Sequence, residues 1–207
     1  MGNQNNFFFM DSILDSLNKG SLIRGIMAAL FRIIGILIFV GIVYLFFSTI
    51  SNAPDFWFVL LLLLVLAASF LIAWTWFYHA KNIIDFEDSD YSAIPIVSNI
   101  FRALGETYAI FATAVAIGGT LMSWFSDYGG AAYQFTRFLY LLPISGLLPI
   151  EVGGRFLNGL IFLITCLITA YVILLFAYFI AENILVLVDI AKNTKIMSEG
   201  NSEEKAA

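Results

Sequence analysis

The sequence predicts an all-α membrane protein with four transmembrane helices arranged as two antiparallel hairpins. Composition is the first observation behind this. Hydrophobic residues make up 61% and charged residues 12% of the 207-residue chain, where a soluble domain carries about 25% charged. Too little polarity is present to cover a surface facing water. Mean hydropathy, the second observation, is +0.92. Thirdly, the charges avoid four apolar runs, each near the ~20 residues that cross about 30 Å of hydrocarbon at 1.5 Å per residue. Lone runs of that length are not barrel strands. A soluble enzyme, a nucleic-acid-binding protein and a disordered chain are excluded.

Residues 1–24 form a cytoplasmic N-terminal segment. Within it Phe7–Leu17 (FFFMDSILDSL) sets Asp11, Ser12 and Asp15 on one face, the pattern of an amphipathic helix lying on the membrane surface. No cleavable signal sequence is legible, because Asp11 and Asp15 interrupt the segment and a basic leading region is missing. The opening Met1-Gly2 also lacks the downstream Ser or Thr of a myristoylation signal.

The transmembrane domain covers residues 25–185. Span one is expected at 33–50 and span two at 56–78, joined by the five-residue turn Ser51–Asp55, which forces an antiparallel return. In span two the run Val59–Leu66 (VLLLLLVL) carries no polar side-chain atom and is expected to face lipid or a smooth apolar partner. An acidic turn, Asp85–Asp90 (DFEDSD), follows. Pro95 opens a helix that continues into span three, 107–125. The outer segment 126–156 contains Phe135–Ile150, which is too short to cross and is broken by Pro143, Gly146 and Pro149. It reads as interfacial or re-entrant. Span four is expected at 157–181, with its helical pattern persisting to Lys192, about 50 Å in all. Residues 186–207 complete the chain as a cytoplasmic helical extension and a polar, disordered tail from Ser198.

Basic residues set the orientation. Lys19, Arg24, Arg32, Lys81, Arg102, Lys192, Lys195 and Lys205 fall on one side, with Arg137 and Arg155 on the other. The positive-inside rule places both termini in the cytoplasm. Trp57 and Trp124 then mark the outer interface, and Trp74 and Trp76 the inner one. The spacing from Trp57 to the inner pair corresponds to roughly 26–29 Å of helix, a hydrocarbon thickness. The expected location is multi-pass in the cell inner (plasma) membrane. The tail Ile190–Lys195 (IAKNTK) resembles endings of small bacterial membrane proteins, which implies a bacterial source and no activity.

Two short patterns recur. Phe31-Arg32-Ile33-Ile34-Gly35 opens span one, and Phe101-Arg102-Ala103-Leu104-Gly105 opens span three. Span two exits through Phe77-Tyr78-His79-Ala80-Lys81-Asn82-Ile83-Ile84, and span four through Tyr178-Phe179-Ile180-Ala181-Glu182-Asn183-Ile184-Leu185. Two hairpins in one orientation would be a parallel tandem repeat, related by an axis along the membrane normal. Chance recurrence of interfacial letters is the alternative.

No catalytic, cofactor-binding or metal-binding residue is nominated, and no cofactor is expected. His79 and Cys166 are the single histidine and cysteine, too few for ordinary zinc sites or bis-histidine haem in one chain. His79 reads as an interfacial side chain at the inner end of span two. The acidic turn lacks the glycine and final glutamate of a calcium loop. Ser123 and His79 lie at opposite ends of their spans, so no Ser–His nucleophile forms. Gly118-Gly119 and Gly129-Gly130 lack the lysine and strand of a phosphate loop. The span centres hold hydroxyls and a thiol but no charge, which disfavours ion-coupled transport.

Two groups stand out. Ala112, Ala114, Ala116 and Gly118 make two small-xxx-small pairs, suited to close helix packing within the chain or against another subunit. Arg32, His79, Lys81, Arg102, Glu106 and Glu182 gather at the inner boundary, either as ordinary helix-end charges or as an interaction surface. Arg102 and Glu106 are spaced to pair on one helix, and Glu182 has Arg32 or Arg102 as expected partners. The functional expectation is a non-catalytic integral membrane subunit or scaffold of a larger complex, not an enzyme. A small oligomeric channel or passive facilitator is the alternative, and a lipid-modifying enzyme the third reading. Expected partners are the lipid bilayer and other membrane subunits or a homo-oligomer, with no nucleic acid.

Overall fold

The computed structural model describes residues 21–85, 93–126 and 154–204. All regular structure among them is helical: α1 (Ser21–Ile50), α2 (Phe56–Ile84), α3 (Ala93–Phe125) and α4 (Arg155–Glu204). Each helix is long and apolar enough to cross a membrane, the make-up of a multi-pass membrane protein. The expected surface helix 7–17, the acidic turn past Asp85 and outer-segment residues 127–153 lie outside the described residues.

α1 ends where Asn52 and Ala53 donate back to the Thr49 and Ile50 carbonyls at 3.0 and 3.2 Å, and Pro54 cannot continue the ladder. Asp55 then caps α2, accepting from the Phe58 amide at 2.8 Å. Its second carboxylate oxygen accepts from the Ser126 hydroxyl just past α3, so one side chain starts a helix and holds the end of another. Asp55→Ala is expected to cost about 1–2 kcal/mol, read as a lower midpoint of thermal unfolding in mild detergent. Asp55→Asn keeps the cap acceptor and should recover most of that loss.

Pro95 sits in the first turn of α3, where no intrahelical N–H partner is required. α4 overruns its expected end. It continues as helix to Glu204, about 75 Å in all, which corrects both the ~50 Å helix and the disordered tail from Ser198. Extending an established helix costs little per residue, and the helix continues through Gly200 and Asn201 despite their weak propensity.

The helices pack in chain order, α1 on α2, α2 on α3 and α3 on α4. Ala28 and Phe31 from the first half of α1 share a buried cluster with Ile72, Trp76, Ala80 and Ile83 from the second half of α2. Gly35 lets the backbones close there: a Cβ would lie 3.1 Å from Trp76 Cβ and 3.2 Å from the Ala73 carbonyl oxygen. Gly105 does the same for α3, seated against Ala177 and Leu174 of α4. Because α2 lies between α1 and α3, its 59–66 run does not simply face lipid. Leu61 and Leu62 are buried and Leu63 is exposed. Lipid removes the hydrophobic drive between helices, so these close contacts and the polar links below hold the bundle.

At the α3–α4 end bearing Trp124, the indole stacks on Phe156 at 5.1 Å and donates to its carbonyl at 3.0 Å. Trp57 stacks on Phe125 at 4.6 Å at the same level.

Candidate functional site

Polar side chains from three helices meet near the far end of the bundle. His79 lies near the end of α2 and is 2% exposed, packed inside the bundle. Its Nε2 lies 3.0 Å from Glu106 Oε2 on α3. A carboxylate only accepts, so this contact calls for an N–H on Nε2. Glu106 Oε1 accepts from the Tyr178 hydroxyl on α4. One carboxylate thus ties α2, α3 and α4 together. One residue further along α3, Thr107 Oγ1 accepts from Trp76 Nε1 at 2.9 Å. Deeper toward the α4 extension, Ser98 donates to the Ala181 carbonyl at 3.0 Å.

Arg102 makes no direct ion pair with Glu106, although its charge still acts on that carboxylate. Both Glu106 oxygens are turned to donors on neighbouring helices, and the Arg102 guanidinium lies over the Tyr178 ring, 5.5 Å from its centroid, within cation–π range. Glu182 pairs with neither Arg32 nor Arg102. It is exposed on α4, as Arg32 is on α1 and Lys81 on α2. The six predicted residues therefore divide. His79, Arg102 and Glu106 are brought together, and Arg32, Lys81 and Glu182 are spread over outward faces.

The small residues of α3 sort onto two faces. Ala112 and Ala116 are buried against Cys166 and Ala170 of α4. Gly118 lies against Leu61 of α2, and Ala114 is buried as well.

Sequence reasoning missed Tyr178, Trp76 and Thr107. Tyr178 stood inside the recurring exit pattern, and Trp76 in the inner belt, where Trp74 is exposed but Trp76 is buried against Phe31. The available signal was the lone carboxylate at Glu106, which needs donors from other helices once buried.

Glu106 also borders an open groove of about 580 Å³, walled by one face of α4 from Tyr171 to Glu182. Among the described residues no group of three or more His, Cys, Asp or Glu is placed to hold a metal ion. Comparison of the chain with protein-family models, curated proteins and solved structures finds no match.

Proposed function

We propose that the chain is a non-catalytic integral membrane subunit or scaffold of a larger membrane assembly, folded as two antiparallel hairpins with both termini in the cytoplasm. The length of α4 carries this reading. Residues 156–182 already span about 39 Å, more than a hydrocarbon core. Residues 183–204 extend the same helix by roughly 33 Å. On that extension Val186, Ile190 and Met197 are exposed and fall on one helical face around Asn193, an anchor spacing by which a helix docks on a largely apolar partner. Lys192 and Lys195 occupy the opposite side. An apolar stripe beyond the bilayer faces water until another chain covers it, and the occupant that fits is an amphipathic helix of a neighbouring subunit.

The hairpin reading rests on the short 51–55 turn and on α1 meeting α2 start to end. The orientation rests on the distribution of basic residues. A parallel tandem repeat is supported by matching contacts. Gly35 meets Ala73 and Trp76, while Gly105 meets Leu174 and Ala177, the positions that the entry and exit patterns equate. Ala28 and Ala80 are likewise buried, as are their counterparts Ser98 and Ala181.

The scaffold reading is tested by purification in mild detergent with mass measurement of the intact complex. Ile190→Glu combined with Met197→Glu keeps good helix formers but charges the stripe. Partner chains present in fixed stoichiometry with the unaltered protein are expected to be lost, with the four-helix part still folded. Retention of every partner by the double variant overturns the reading, as does a homo-oligomer that conducts ions in liposomes.

A further inference from the structure

The groove beside Glu106 has a gradient of polarity along its length. Tyr171 and Leu175 line one end, and Glu182 lies at the other with Glu106 of α3 beside Tyr178. Tyr171 and Glu182 are roughly 16 Å apart along α4. The carboxylate end carries Glu182, the first charged residue of α4 after Arg155, and the apolar end lies within the uncharged run between them. A phospholipid in the adjoining leaflet has the same gradient in the same direction.

Charge narrows the occupant. Among the described residues Glu182 has no ion-pair or hydrogen-bond partner. A carboxylate at a membrane boundary draws a cationic donor. Glu106 already accepts from His79 and Tyr178, yet a carboxylate has about four acceptor sites and can take another N–H. The first hairpin offers a contrast, since the corresponding positions there are Ile36 and Lys81, and the acidic pair belongs to the second hairpin alone.

We propose that this groove seats a phospholipid with a primary-amine head group. Its ammonium is held by Glu182, with Glu106 as second acceptor, and one acyl chain lies against Tyr171 and Leu175. An ethanolamine head donates three N–H groups to these carboxylates. A choline head donates none, and a phosphoglycerol head brings no cation. The site does not depend on the docking role proposed for the α4 extension.

The full-length protein is reconstituted in vesicles of phosphatidylethanolamine, phosphatidylcholine and phosphatidylglycerol in equal parts, then extracted in mild detergent. Lipid retained on the protein is measured by mass spectrometry. Phosphatidylethanolamine is expected to be enriched about tenfold over phosphatidylcholine. Glu182→Gln, at an exposed position, should bring that ratio near one with unfolding temperature unchanged. Glu182→Lys should turn the preference toward phosphatidylglycerol. Equal retention of the ethanolamine and choline lipids by the unaltered protein overturns the proposal. So does a preference that neither variant moves, or a groove filled by a co-purifying chain.

Discussion

Glu106→Ala is expected to destabilise the bundle by about 2–4 kcal/mol, of which bond loss explains only part. Interhelical hydrogen bonds in membranes average about 0.6 kcal/mol, because helices separated in lipid find other partners. Losing the contacts to His79 and Tyr178 would then cost roughly 1.2 kcal/mol. The rest comes from what remains. His79 is buried, and its Nδ1 already lacks a partner, so the substitution leaves both ring nitrogens unsatisfied at about 1–3 kcal/mol. Reversible unfolding in mixed detergent micelles reads the difference. Adding His79→Leu removes the orphaned imidazole, so the double variant should be less destabilised than the sum of the singles, by at least about 1 kcal/mol. Strict additivity would show that the two side chains do not interact. Glu106→Gln keeps an acceptor for one donor and should fall between Glu106→Ala and the unaltered protein.

The same cluster shows why part of the structure was legible in the sequence and part was not. Apolar length marks a span whatever its neighbours do, so all four helices were readable, as were the turn at Ser51–Asp55 and the start of α3 near Pro95. Which face of a helix turns inward is a different question. α2 and α4 are apolar around their whole circumference, and a helix without a polar side carries no periodic signal of its rotation. That Trp76 turns inward and Trp74 outward, or that Tyr178 reaches Glu106, therefore could not be read from spacing. Within one helix, the i,i+4 rule paired Arg102 with Glu106. Partners on other helices won, because the half-buried Glu106 carboxylate is reached by donors packed beside it. α3 is the exception. Its small residues mark faces by size, and Ala112 with Ala116 turns to α4 while Gly118 turns to α2.

Size also sets the second large effect. Gly105→Ala is expected to force α3 and α4 apart at about 1–3 kcal/mol, because the added methyl would overlap the Ala177 methyl. A methyl fixed to a helix backbone has no rotamer by which to move aside. Moving the methyl across the interface restores the fit, so Gly105→Ala with Ala177→Gly should recover most of the loss. Gly35 is the close-packed glycine between α1 and α2. Its added Cβ would stand 3.1 Å from Trp76 Cβ and 3.2 Å from the Ala73 oxygen, a strain that shifts of a few tenths of an ångström relieve, so Gly35→Ala should cost under about 1 kcal/mol. Gly41 has nothing within 4 Å of its missing side chain, and Gly41→Ala should fall within about 0.5 kcal/mol of the unaltered protein. Unfolding midpoints of the three single variants in one detergent give the order. If Gly105→Ala were as harmless as Gly41→Ala, α3 and α4 would not meet at this glycine. If instead the Ala177→Gly swap rescues Gly105→Ala, α3 and α4 close on a glycine as α1 and α2 do at Gly35. Glu106, one residue beyond that contact, then owes its position between His79 and Tyr178 to the missing side chain of Gly105.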